Sequence, residues 1–240
     1  MKLKTPEKIP EKNKNSALKT FAPASMPKAT ADRMILCLTG PMAAGKNTAS
    51  RIFEKYGFKC IDFDTLVHKT IEECSEQICE EFSNDAKIYG INLKNSDGSL
   101  NRRSLGSLIF KDQKLLSRQE TIVYPAVTHF AKDFIKKNSQ KNIVLNATVL
   151  FKIPELMAEC THTVFIKANV LIRLLRVKKR DTMPYNQILA RFYSQKDLFK
   201  NYKNSRIPVI TIRNSGSVLS LEKRIKKAFK KTFIEHLGNL

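Results

Sequence analysis

The stretch Gly40-Pro41-Met42-Ala43-Ala44-Gly45-Lys46-Asn47-Thr48 constrains this chain more than any other. It follows a short apolar run, Met34 to Leu38, and opens a helical pattern, Thr48 to Tyr56. Strand, glycine-bounded loop, lysine and helix in that order form a phosphate-binding loop. A glycine at each end lets the loop curl, so that successive backbone N–H groups point inward as a nest for anions. The helix N-terminus adds the positive end of its dipole at the same spot. Lys46 is a mobile point charge with the length to reach the outer phosphates of a nucleotide. Gly40, Ala43, Ala44, Gly45, Lys46, Asn47 and Thr48 are therefore the candidate nucleotide-binding residues. An ordinary glycine-rich turn is the bland alternative, and it leaves the spacing of Lys46 and both glycines unexplained. One position departs from the pattern: Asn47 stands where Ser or Thr would hold Mg²⁺ by a hydroxyl. Its carbonyl oxygen can ligate Mg²⁺, a water can bridge, or Asn47 caps the helix and the metal sits elsewhere.

Phe58 to Ile61 reads as a second strand that delivers Asp62-Phe63-Asp64 at its C-terminal end. In an open parallel sheet, ligands lie outside those ends. One carboxylate there can accept a proton from an acceptor hydroxyl, and another can help to hold Mg²⁺. This makes Asp64 the candidate base and puts Asp62 beside Asn47 as a candidate metal ligand. The competing reading is that Asp62 or Asp64 merely caps the helix Thr65 to Glu73. His68, one turn on, is either an acceptor-side residue or a packing residue.

Residues 65–140 read as a helical insertion on the acceptor side. Leu100 to Phe110 carries Arg102, and two helices are expected over Gln113 to Val123 and Pro125 to Lys137, with Pro125 in a first turn. Further strands are expected at Asn142 to Thr148, Thr161 to Ile166 and Ile207 to Ile212. The pattern predicts an α/β fold: a P-loop NTPase-type core with a five-stranded parallel sheet flanked by helices. After the fourth strand, Val170 to Met183 and Tyr185 to Lys200 form a basic helical hairpin, and 168–200 has the character of a lid. Arg176 and Arg180 lie four apart on one face, and the guanidinium fork suits phosphate oxygens. For Arg173 and Arg191 a solvated helix face is an equal reading. Asn214-Ser215-Gly216 fits the edge of a base pocket or a plain strand-to-helix turn. A closing helix is expected over Val218 to His236.

With 42% apolar residues, the 240-residue chain has material for a packed core, and its longest apolar stretches are too short to span a bilayer. Its five cysteines are scattered, without zinc spacing, so a reducing cytoplasm is expected. The formal charge of +21 draws anions of any kind. Most of the excess is lysine in runs that read as solvated faces. No RNA-recognition motif or zinc finger is present and Trp is absent, which disfavours nucleic acid as a main partner. Residues 1–32 read as a disordered basic tail, with mitochondrial targeting as a weaker reading and a start at Met34 as a third.

Taken together, these features resemble the dephospho-CoA kinases. The resemblance spans about Met34 to Phe229. It is carried by Leu-Thr-Gly leading into the loop, Ile61-Asp62-Phe63-Asp64, Gly98-Ser99-Leu100-Asn101-Arg102, Arg176 to Asp181, Arg191 to Gln195 and Asn214-Ser215-Gly216. No piece after the loop is specific by itself; their order and spacing are. The resemblance implies a helical CoA domain and a lid. It implies ATP-dependent phosphorylation of the 3′-hydroxyl of dephospho-CoA with Mg²⁺; a monomer is expected. By that analogy Asp64 is the general base, Lys46, Arg176 and Arg180 act on the transferring group, and Asn214 borders ATP. Asp62, His68, Arg102, Tyr124 and Arg191 then fall on the substrate side. The chain departs from the family pattern at Asn47, at Tyr124 in place of His, and at Thr148 to Lys152 in place of Pro-Leu-Leu-x-Glu. The last two alter the acceptor side more than the ATP side. Another small-molecule nucleoside or nucleotide kinase, or a weak paralogue with nucleic-acid binding, are the competing readings.

Overall fold

β1 (Ile35–Thr39) is buried at every position because both of its faces are covered. It lies at the centre of a sheet of order β2-β3-β1-β4-β5. The computed structural model describes residues 33–180 and 183–230. β2 is Lys59–Asp62, β3 Ile143–Asn146, β4 His162–Lys167 and β5 Val209–Arg213, and all pairs are parallel. The expected P-loop-type sheet of five parallel strands is therefore present. The helices are α1 (Lys46–Lys55), α2 (Phe63–Glu73), α3 (Ser75–Glu81), α4 (Ser83–Ile88), α5 (Arg102–Ile109), α6 (Gln113–Lys137), α7 (Pro154–Glu159), α8 (Val170–Arg180), α9 (Tyr185–Ser194), α10 (Leu198–Lys203) and α11 (Val218–Ala228).

Parallel strands need crossovers, and helices supply them on both faces. Side chains alternate across a strand, so β1 feeds two cores. Leu36 and Leu38, with Val144, Val164 and Ile166, pack against Ile52 and Phe53 of α1 and Leu221 and Ile225 of α11. Ile35 and Cys37, with Ile143, Leu145 and Phe165, face the larger core built from α2 to α7 and Tyr202. Phenol and backbone meet in that core: the Tyr202 hydroxyl donates to Thr148 O at 3.1 Å and accepts from Leu150 N–H at 2.8 Å. This fixes the chain just past the end of β3.

Three expectations need correction. Gln113 to Lys137 is one helix, not two, with Pro125 inside it. An interior proline costs about 3 kcal/mol of helix stability. Here Val123 and Val127 are buried on both sides of it, so tertiary packing on the core holds the helix through the break. The helix expected over Tyr185 to Lys200 stops at Ser194, and α10 starts afresh at Leu198. Gln195 caps α9 at the break, and its side chain reaches the phosphate loop. The hairpin's first helix is described over Val170–Arg180, and Met183 lies outside any helix. The basic tail over 1–32, Asp181 of the hairpin and the extension of the last helix to His236 lie outside the described residues.

Candidate active site

The loop between β1 and α1 is curled at three positions in the left-handed region: Gly40 (φ 151°), Ala43 (φ 57°) and Gly45 (φ 101°). A Cβ on Gly40 would come within 3.0 Å of the Ile166 carbonyl oxygen, and one on Gly45 within 3.0 Å of Asn214 Nδ2. Both glycines are therefore demanded by space as well as by φ. Ala43 tolerates its φ at a cost of about 1–2 kcal/mol. Ala44 N–H donates to Pro41 O at 3.0 Å and closes the turn. Gly45 caps α1 with no side-chain acceptor over the first-turn N–H groups. Those groups, with the dipole behind them, form the anion nest expected from the spacing.

Lys46 folds back over this nest, its Nζ donating to Gly40 O at 3.1 Å. Burial pulls its pKa below the ordinary lysine value, Asp64 and then Asp62 oppose that, and Arg180 and Arg173 add to it. The lysine, both acids and two hairpin arginines thus share one electrostatic site. Parallel register puts Asp62 at the end of β2 beside Asn146 at the end of β3. Asp62 serves two ends at once. Its Oδ1 caps α2, accepting from Asp64 N–H at 2.9 Å and Thr65 N–H at 3.4 Å, while Oδ2 accepts from Asn146 Nδ2 at 3.3 Å. The capping reading therefore holds for Asp62, through Oδ1. Asp64 follows in the first turn of α2, exposed.

Asn146 was missed by the sequence reading. It is buried, and its Nδ2 also donates to Asn47 Oδ1 at 3.0 Å, while its own Oδ1 is enclosed without a partner. The carboxylate of Asp62 dictates that the amide presents its donor side, so this orientation follows from chemistry. A polar residue closing the apolar run Ile143-Val144-Leu145 was the available signal. Asn47 is exposed and reaches Asn146 through its carbonyl oxygen, so it belongs to the same cluster as Asp62.

The hairpin side is tied to the loop backbone. Arg173 is buried, its Nε donates to Met42 O at 2.8 Å, and its guanidinium stacks 4.1 Å from the Phe192 ring centre. Burial lowers its pKa, and its Nη2 is enclosed without a partner. The equal alternative of a solvated face therefore fails for Arg173. Gln195 Oε1 accepts from Met42 N–H at 2.7 Å. Arg176 donates to Ala43 O, Ala44 O and Asn214 O at 3.1–3.4 Å. Asn214 is buried and donates through Nδ2 to Ala44 O at 2.8 Å. Arg176 and Asn214 thus grip the rear of the loop, and Arg180 continues α8 toward Lys46. Arg191 is exposed on α9, and Thr48 follows Asn47 in the first turn of α1.

The remaining candidates sit elsewhere. Arg102 pairs with Glu72 at 3.2 Å, and Tyr124 packs against the larger core. Neither bonds to the phosphate loop among the described residues. His68 is exposed on α2. Two of the positions that depart from the family pattern are linked: Lys152 pairs with Glu120, which accepts from the Tyr124 hydroxyl. Burial and that bond push the Tyr124 phenol well above its usual value. Among the described residues no group of three His, Cys, Asp or Glu side chains could hold a metal, and no helix is long and apolar enough to cross a membrane.

Residues 34–220 match the family model described as CoaE: Dephospho-CoA kinase. The dephospho-CoA kinase of Treponema denticola is 34% identical over 207 residues, 85% of this chain and 92% of that protein. That of Treponema pallidum is 32% identical over 194 residues, 80% of this chain and 92% of that protein. TT1252 from Thermus thermophilus shares the fold with a TM-score of 0.69 at 24% identity, over 82% of this chain and 96% of that one. A dephospho-CoA kinase from Campylobacter jejuni does so with a TM-score of 0.54 at 20% identity, over 83% and 97%. A curled loop with its lysine, two acids across from it and a match along nearly the whole described chain agree: this chain belongs to the dephospho-CoA kinase family.

Proposed function

We infer that the chain transfers the γ-phosphoryl group of ATP to the 3′-hydroxyl of dephospho-CoA, giving ADP and coenzyme A. The observation that carries this reading is the electrostatic pairing of Lys46 with Asp64 and Asp62 at the mouth of the loop. Binding of phosphate alone needs no acids there. In the transfer, Asp64 takes the proton of the 3′-hydroxyl as its oxygen attacks the γ-phosphorus. The bond from that phosphorus to the bridging β-phosphate oxygen breaks, and its electrons leave with ADP. Lys46 and the loop N–H groups stabilise charge on the phosphates, and Arg176 and Arg180 close on them once released from their present partners. Positioning and electrostatics supply most of the rate.

The donor set fits Mg²⁺. Asn47 Oδ1 and Asp62 Oδ2 each keep a lone pair beyond the bond from Asn146. Mg²⁺ is usually held by one or two protein oxygens and completes its shell with phosphates and water. Bound there it would neutralise the β- and γ-phosphate oxygens. His68, Arg102, Tyr124 and Arg191 are assigned to the acceptor side, with α2 to α6 as the acceptor domain and 168–200 as a lid. The reading carries with it a monomer working in the cytoplasm.

A coupled assay with ATP, Mg²⁺ and dephospho-CoA tests the proposal. Wild-type turnover is expected, with Lys46→Ala and Asp64→Asn lowering it by about 10²–10⁴-fold. Full turnover in both variants would refute the assigned roles. Because Lys152 and Tyr124 alter the acceptor side, a panel of nucleosides and nucleotides belongs in the same assay. A preference for one of them would replace dephospho-CoA by that acceptor.

A further inference from the structure

The α8–α9 hairpin holds the phosphate loop with one side and presents the other to solvent. On α8, Arg173 and Val177 are buried and Arg176 bonds to the loop backbone. Opposite them, Leu171 and Leu175 lie one turn apart and are 69% and 68% exposed, and Lys178 and Lys179 continue the same stripe. On α9, Tyr185, Leu189 and Tyr193 recur every fourth residue and are 49%, 48% and 70% exposed. Lys178 Nζ lies 5.2 Å from the Tyr185 ring centre, so the two stripes meet there. Lys196 Nζ, 4.3 Å from the Tyr193 ring centre, closes the far end. Large apolar side chains gathered in water with a charged rim mark an interaction surface.

The charge of this surface selects its partner. Neither α8 nor α9 contains an Asp or a Glu. A second copy would set cations against cations, in a chain of formal charge +21. The partner is therefore anionic. Arg173 and Arg176, whose planar forks suit directional recognition of a carboxylate, are turned to the loop. The cations beside the apolar stripes are lysines, point charges on flexible stems that need no fixed geometry. Such stems lie along apolar surface while the ammonium groups stay in water. Leucines at the crest of a helix, tyrosines beside them and lysines at the rim are what seats a helix in the headgroup layer of a bilayer.

We propose that the outer face of the α8–α9 hairpin docks on an anionic lipid bilayer. Leu171 and Leu175 enter the boundary between headgroups and acyl chains, the tyrosines lie at headgroup level, and Lys178 and Lys179 meet the lipid phosphates. The attachment is peripheral, since no helix among the described residues is long and apolar enough to cross a membrane. The bilayer then rests on the same two helices whose inner side bonds to Met42 and Ala44, so docking restrains the hairpin that borders the phosphate loop.

The test uses the full chain with vesicles of phosphatidylcholine, alone or mixed equally with phosphatidylglycerol, at an ionic strength of about 0.15 M. Cosedimentation is expected with the mixed vesicles and not with phosphatidylcholine alone. Leu171→Ser with Leu175→Ser should weaken binding at least about tenfold, the worth of burying one large apolar side chain. Lys178→Ser with Lys179→Ser should weaken it by a similar factor, since each cation at the surface counts for about fivefold. Lys223→Ser with Lys227→Ser removes the same charge from α11 and should change binding less than about twofold. The chain has no Trp, so Leu175→Trp gives a single reporter on the proposed face. Its emission should shift to the blue with mixed vesicles. Vesicle binding with that emission unchanged, or equal losses from the α8 and α11 lysine pairs, would place the contact elsewhere and overturn the proposal. No binding to mixed vesicles would overturn it in favour of an acidic protein, and a blue shift that grows with protein concentration in the absence of lipid would overturn it in favour of a second copy.

Discussion

Gly45→Ala isolates how the loop is held. At φ 101° an alanine pays about 1–2 kcal/mol for a left-handed backbone. Its Cβ would also invade Asn214 Nδ2, which donates to Ala44 O at 2.8 Å, with Arg176 Nη1 beyond at 3.9 Å. Asn214 must move, and a buried hydrogen bond is lost at a further cost of about 1–3 kcal/mol. The total is about 3 kcal/mol, which in a chain of this size lowers Tm by about 6–12 °C. ATP affinity should fall at least about tenfold, because the N–H nest and its rear clamp shift together. The two contributions separate in a cycle with Asn214→Ala. In that background the steric part vanishes, and Gly45→Ala should cost only the backbone share of about 1–2 kcal/mol. Thermal unfolding followed by circular dichroism, with calorimetric ATP binding, reads both. Equal cost in the two backgrounds would show that Asn214 is not the obstacle, and an unchanged Tm and ATP affinity would refute the loop geometry as argued.

Three further outcomes are expected. Asn146→Leu removes both donors and the enclosed, partnerless Oδ1 at similar volume. It should lower kcat about tenfold with stability unchanged or raised; activity and stability falling together would mean that Asn146 acts only in folding. Lys46 gives a pH dependence with two opposite signs. Its folded pKa lies below the free value of 10.5, chiefly through burial, so above the folded value the native chain has released a proton that the unfolded chain keeps. Stability from this group therefore rises with pH across that window while the charge that grips ATP is lost. Asp64→Asn removes the largest opposing influence, so the alkaline loss of ATP affinity, measured without divalent ions, should move to lower pH; a shift upward or none would contradict the coupling. Tyr202→Phe leaves the Leu150 N–H without its acceptor in the core and should cost about 1–3 kcal/mol in urea unfolding, with the slope unchanged.

What could be read directly from the residues was local. The glycine spacing around Lys46, the acids closing β2 and the alternation of apolar residues in five strands each depend on neighbours a few positions apart. They were enough for a P-loop core, for Lys46 opposite Asp62 and Asp64, and for the family. The wrong boundaries were local too: Pro125 argued for a break that the packing of Val123 and Val127 overrides.

The rest depends on pairs far apart in the chain, which no periodicity marks. Asn146 lies 99 residues from Asn47 and 84 from Asp62; parallel register sets Asp62 beside Asn146, and the loop after β1 brings Asn47 on α1 to the same spot. Arg173 and Gln195 gain their meaning from the backbone of one residue, the N–H and C=O of Met42, in the loop that follows the sheet's central strand. Lys152 and Glu120 are intelligible only as each other's partner. Amino-acid order by itself specified the strand-loop-helix that grips phosphate and the acids facing it, because backbone conformation and capping act over a few residues. Only the tertiary structure decided how that loop is braced, because hydrogen bonds and charges act through space and follow the topology of the sheet.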